Sequence, residues 1–220
     1  MSSACRTPSA RAAAHAVGMP SDRAYSHVTS AVLQSLPLPS FLEEEAATGP
    51  LHVIARTSDG RVVRKGCVGH RGLELRSTID VDGVRAVGPA DTWVDLGELR
   101  RGRLTLDDLV VVGDAVVARI DHESGVEVPS GSHTSSGTRA LLQALHARVR
   151  PRGKVLLSQA LELIRPRVRS PMESRARLMF VHAGVRELFA EDVYRRPRRV
   201  GTMEAVALML GLDPSTLMIT

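Results

Sequence analysis

Aromatic residues are scarce in this chain: one Trp, two Tyr and three Phe among 220 residues. The 43% hydrophobic fraction must therefore build its core mainly from Val, Leu and Ala. The same scarcity removes the interleaved aromatic and basic pattern on which single-stranded nucleic acid stacks. Cysteine is nearly missing as well. Cys5 and Cys67 have no metal-type spacing, which excludes a disulfide framework and fits a reducing cytoplasm. No apolar run reaches membrane-spanning length. The eight histidines (15, 27, 52, 70, 122, 133, 146 and 182) never pair at i,i+4 and no cysteine joins them, so no zinc signature is present. The glycines at 131 and 137 lack a Walker lysine, and neither a nucleophile elbow nor a helix-turn-helix is visible. No cofactor is expected from these patterns.

What is abundant is arginine, 27 against 2 lysines, in company with Ala, Val and Gly. That balance has the look of GC-rich codon usage, so arginine number alone says little. Its distribution says more. Residues 139–199 hold 15 basic and 5 acidic side chains, a balance of +10, and the rest holds 14 against 19, a balance of −5. A basic half beside an acidic half fits either solvated helix faces or a surface that meets nucleic acid or an acidic partner.

The length suits one large domain or two small ones. Residues 1–24 read as a poorly ordered N-terminal segment, with a weak Ala-rich helical tendency over 10–17 and a Gly-Met-Pro turn at 18–20. SHVTSAVLQSL (26–36) places Val28, Ala31, Val32 and Ser35 on one helical face, with His27 in a packing or capping role. Pro37 and Pro39 end it, and Glu43, Glu44 and Glu45 read as a solvated loop. LHVIA (51–55) and RVVRKGCV (61–68), joined through Asp59-Gly60, read as one hairpin. STIDV and VRAV, joined through Asp82-Gly83, read as another, and together they predict a small antiparallel sheet. Pro89 opens a helix that carries Trp93 as core anchor. Thr105 caps the helix 106–120, with Asp107 and Asp108 favoured by the dipole of its first turn. Residues 121–137 are Ser/Gly-rich and read as a flexible linker or insertion, followed by helices over 138–149 and 153–164.

The stretch RPRVRSPMESRARLMFVHAG (165–184) combines a basic run with a helix start. Ser170, Pro171 and Glu173 fit an N-cap, a first-turn proline and a capping box, and Gly184 offers a stop. Met172, Ala176, Met179, Phe180 and Ala183 form the expected apolar side. Arg165, Arg167, Arg169, Arg175 and Arg177 are the candidate nucleic-acid or partner contacts. Glu173 is a weak candidate for metal-dependent catalysis. Such chemistry needs several converging acids, and Glu187, Glu191, Asp192, Glu204 and Asp213 downstream form no strand-like acid pair. The capping role is favoured. A short capped helix is also expected over 202–212, after the basic run Tyr194-Arg-Arg-Pro-Arg-Arg199.

Six segments occur in an order that carries a resemblance: SHVTSAVLQSLPLP, LHVIAR, VRKGCVGH, GVRAVGPADTWVDLG, LTLDDLVVVGDAVVAR and SPMESRARLMFVHAGV. Over residues 25–185 the chain resembles the actinobacterial group related to AbiEi, the antitoxin of type IV abortive-infection toxin–antitoxin systems. Members often run on into a Vsr-like endonuclease domain. The resemblance implies an α+β domain over 25–120, the linker 121–137, a helical segment 138–169, and at 170–220 the start of a truncated α/β nuclease-like domain. A winged helix-turn-helix would precede the first segment in the fuller pattern, so the chain resembles one shortened at both ends. The group usually shows an arginine where Asp91 stands. The implied partners are a nucleotidyltransferase-like toxin or DNA. The expected function is therefore that of a non-catalytic, cytoplasmic antitoxin or regulator acting by binding. The alternative is a Mg-dependent Vsr-like DNA nuclease, inactive here for want of the downstream acids.

Overall fold

The structure is a computed structural model that describes residues 8–20, 22–99, 102–129 and 131–183. It divides into two compact units, residues 1–171 and 172–220. The expectations for Gly184, for the basic run 194–199, for the helix 202–212 and for most of the nuclease-like start lie outside the described residues.

The fold is α+β, with a five-stranded mixed sheet in the order β3-β2-β1-β5-β4. Its centre is the shortest strand, β1 (Ala24–Tyr25), whose two residues are fully buried. β1 pairs antiparallel with β2 (Leu51–Ala55) and parallel with β5 (Val84–Val87). β5 and β4 (Thr78–Val81) form the hairpin foreseen at Asp82-Gly83. Both turn residues have positive φ, 52° and 77°, the conformation this dipeptide supports.

The other expected hairpin is not one. β3 (Cys67–Arg71) pairs parallel with β2, Leu51 opposite Cys67 and Ile54 opposite His70. The Asp59-Gly60 turn does reverse the chain, but the returning stretch forms no strand with β2. It passes instead over β3, where Arg61 donates from Nε to the Gly69 carbonyl and Val62 is buried. A second reversal at Gly66 (φ 79°) then launches β3 in the direction of β2. The sheet is therefore mixed rather than antiparallel.

Alternation along the strands separates two apolar faces. Tyr25, Leu51, Val53, Ala55, Val84 and Ala86 share one cluster with Ala12 of α1 (Pro8–Ala16). Ala24, Ile54 and Val87 point the other way, with Leu73. Thus the weak alanine-rich tendency near the N-terminus becomes a packed helix. Arg11 ties it down by donating to the carbonyls of Ala46, Ala47 and Gly49. Those carbonyls end α3 (Ser40–Thr48), so Glu43, Glu44 and Glu45 are exposed on a helix, not a loop. In α2 (His27–Leu33) Val28, Ala31 and Leu33 are buried, whereas Ser35 lies beyond the helix and is exposed.

The helical layer is organised by α4 (Pro89–Gly97) and α5 (Leu106–Ser124). Trp93 is fully buried and donates from Nε1 to the Leu109 carbonyl, the core-anchor role expected of it. Thr105 and Asp108 form a capping box at the start of α5, and Gly125 ends that helix in the left-handed region at φ 64°. The supposed linker is tied at both ends: α5 runs to Ser124, and Asp121 accepts from the Gly137 N–H in α6 (Ser136–His146). Leu141 and Leu145 of α6 are buried, while Leu142 and Val149 are exposed. In α7 (Lys154–Leu163) the buried residues are Leu157 and Ala160, and Val155 is exposed.

α8 (Pro171–His182) begins at the expected proline, but its face differs from expectation. Ser174 and Leu178, one turn apart, are buried, and Met172 and Met179 are exposed. Apolar residues lie all round this helix, so periodicity did not distinguish its faces.

A Cβ at Gly69 would overlap the Val62 carbonyl oxygen and lie 2.9 Å from the Val62 nitrogen, both of them backbone atoms. Gly69→Ala is therefore expected to lower stability by about 1–3 kcal/mol through overpacking. A urea titration followed by circular dichroism would read this as a lower midpoint at unchanged slope.

Candidate functional site

Three histidines far apart in the chain meet on one face of the sheet, at the first residue of α2. His52 and His70 lie on the sheet face that carries Ile54, because each is two residues from, or directly opposite, that position in the β2–β3 register. His27 follows β1 across Ser26, whose N–H donates to the His52 carbonyl at 3.0 Å. The His52 N–H in turn donates to Thr29 Oγ1 at 2.8 Å, which joins the start of α2 to β2. His52 Nδ1 and His70 Nε2 are 3.0 Å apart. The rings of His27 and His70 stack with centroids 3.7 Å apart and planes 20° apart. The His52 and His70 centroids are 5.1 Å apart. One ligating nitrogen from each of the three lies within 4.8 Å of the other two.

His27 is buried with φ 49°, in the left-handed region that non-glycine residues avoid. Such a conformation costs about 1–3 kcal/mol and persists where its surroundings over-determine it. Those surroundings are visible here: Ser26 Oγ lies 3.0 Å from His27 Nδ1, and the Asp95 carboxylate is 3.8 Å from the same nitrogen.

Asp95 is the centre of a buried ion network. Arg76 donates to it from Nε and Nη2 at 2.7–3.1 Å, and Arg148 Nη2 lies 3.4 Å away. Arg148 also donates to Asp91 Oδ1 at 2.9 Å and to the Leu75 carbonyl. Asp91 Oδ2 accepts from the Ser77 N–H and hydroxyl. Asp91 is thus an acid that receives an arginine from a distant part of the chain. Two arginines and two aspartates leave the network without net charge.

The electrostatics hold all three imidazoles neutral. Burial, then His52 and the Arg76 and Arg148 guanidinium groups, keep His27 well below the usual histidine range. Burial also lowers His52. Burial and the two neighbouring histidines bring His70 down to about 3. Neutral imidazoles offer lone pairs, and an all-imidazole set suits zinc-type cations rather than magnesium or calcium, which take oxygen.

The residues singled out from sequence lie elsewhere. Arg165 is half-buried; its N–H donates to Asp114 and its guanidinium to the carbonyls of Glu162 and Ile164. Arg167 and Arg169 are exposed beside a cavity of about 480 Å³ lined also by Asp121, His122 and Glu127. Arg175 is exposed and Arg177 half-buried on α8, in the second unit, and Glu173 is exposed in the first turn of α8. Among the described residues, the group able to hold a metal is His27, His52 and His70, and it does not include Glu173.

Spacing could not reveal this cluster, since it depends on the parallel β3 pairing. No family model, curated protein or solved structure matched the chain when it was compared with each.

Removing Asp95 leaves Arg76 and Arg148 buried with one carboxylate between them, so Asp95→Ala should cost about 3–5 kcal/mol in urea unfolding. The histidines set a pH dependence. Their folded pKa values lie below the unfolded value of 6.5, so stability is complete above pH 6.5. Below it the unfolded chain takes up protons that the folded one refuses, and stability falls towards the His70 value of about 3. Urea midpoints measured against pH in EDTA should decline over this window and flatten in His70→Gln; a profile that rises on acidification would contradict the neutral cluster.

Proposed function

We propose that this chain is a non-catalytic binding protein of the AbiEi-like antitoxin or regulator kind, engaging a polyanionic or acidic partner through its basic helical half. The observation that carries the reading is the exposed charge between α6 and α8. Arg139, Arg150, Arg152, Lys154, Arg167 and Arg169 are all exposed, and the one acid among residues 139–169 is Glu162. Part of the basic excess is structural, since Arg148 serves the buried network and Arg165 holds main-chain carbonyls. The exposed remainder suits phosphates, which are met by cations without sequence readout. The ordered segments that resemble the AbiEi group support a toxin of nucleotidyltransferase type as the protein partner.

Two measurements test it. Duplex DNA should bind weakly, with little sequence preference, and with affinity falling steeply with salt. Arg152→Glu with Lys154→Glu and Arg169→Glu should weaken binding on every sequence and shrink the salt slope by roughly 1 for each phosphate that is no longer neutralised. An unchanged slope would remove DNA as the partner. Failure of a toxin encoded beside this gene to co-purify, or to be relieved of toxicity, would remove the antitoxin role.

A further inference from the structure

We propose that His27, His52 and His70 form a binding site for a first-row divalent transition metal of the zinc type. Nothing in the binding role above requires such a site. Three separate elements deliver the ligands: the β1–α2 junction, β2 and β3. Their nitrogens lie within 4.8 Å of one another, and turning the stacked His27 and His70 rings about their side-chain bonds would aim their in-plane lone pairs at one ion. Packing alone explains this poorly. Three imidazoles are a costly filling for a core, because polar groups taken from water must find partners. Among the described residues, their ring hydrogen bonds are the one between His52 and His70 and the one between His27 and Ser26. The left-handed backbone at His27 is a further local cost, and it aims a buried side chain at the other two.

The surroundings meet the needs of a cation. His27 Nδ1 faces Ser26 Oγ at 3.0 Å and the Asp95 carboxylate at 3.8 Å, the outer-shell partners that orient a ligating imidazole, and Nε2 is then the ligating atom. Asp95 is itself immobilised by Arg76, and the charge of the four-residue network is already balanced. His52 and His70 are half-buried, so solvent reaches part of the cluster. Three protein ligands leave a coordination position to solvent or an anion.

The test uses the full chain without a histidine tag, stripped with a chelator, gel-filtered and titrated with Zn²⁺ and Co²⁺. One equivalent should be retained by elemental analysis, Co²⁺ should give visible d–d bands, and the melting temperature should rise with metal. His52→Gln and His70→Gln should each weaken Zn²⁺ binding by more than the roughly 10–100-fold that loss of an outer-shell partner costs. His146→Gln, at an exposed position in the last turn of α6, should leave it unchanged. His70→Cys should keep Co²⁺ and add a thiolate-to-cobalt charge-transfer band, a signature that a merely destabilised variant cannot produce. Substoichiometric metal in the wild type, binding unaltered in the His52→Gln/His70→Gln pair, or a His70→Cys protein whose cobalt spectrum lacks the sulfur band would overturn the site.

Discussion

The carboxylate of Asp95 is fully buried, and two guanidinium groups converge on it from different parts of the chain. Arg76 arrives from the turn between the 3-10 segment Leu73–Leu75 and β4, and Arg148 from the connection after α6. Asp91, one helical turn earlier on α4, shares Arg148 and also holds Ser77. The sheet and the helical layer are thus joined through ions that only one arrangement of these segments can satisfy. Such a network adds little stability compared with well-packed apolar side chains, since desolvation offsets most of the Coulomb attraction. Its effect is selective: any packing that displaces one member leaves another charged and buried.

That constraint fixes the histidine cluster too. α4 packs on α2 and carries Asp95 beside His27, while the Ser26 and Thr29 hydrogen bonds fix the start of α2 to β2. Around it, burial and the positive ends of Arg76 and Arg148 disfavour imidazolium. Neutral rings can stack as closely as His27 and His70 do, which protonated rings would resist. The same neutrality leaves lone pairs in a group whose three ring planes lie within 30° of one another.

Local chemistry was the readable part of the fold. Asp82-Gly83 makes its hairpin because the two residues tolerate positive φ, Thr105 caps α5 because its hydroxyl reaches the third helical N–H, and Trp93 anchors the core. What escaped reading depends on pairings between distant residues. The stretch 61–68 has strand-like composition, yet only its last two residues join β3, since Val62 is needed over Gly69. Arg148 looks in sequence like any member of a basic run; only the positions of Asp91 and Asp95 reveal it as a core residue. The histidines are hidden for the same reason: their meeting requires β3 to run parallel to β2, whereas hairpin signals point to an antiparallel pair.

The connection between α6 and α7 shows how the buried network reaches the basic surface. Arg148 turns inward to Asp91 and Asp95, while Arg150, at φ 53°, and Arg152 remain exposed. A loop with a single buried charged anchor has little freedom to slide, because shifting it by one residue would strand the anchor's charge away from its carboxylates. The exposed cations therefore sit on a backbone whose position is set by the same aspartate that stands beside His27. Cations on a fixed connection lose less conformational entropy on meeting a partner than cations on a free tail. The buried network thus sets the frame for both the histidine cluster and the basic surface, and its influence on the second acts through backbone position rather than through charge, since its own charges cancel.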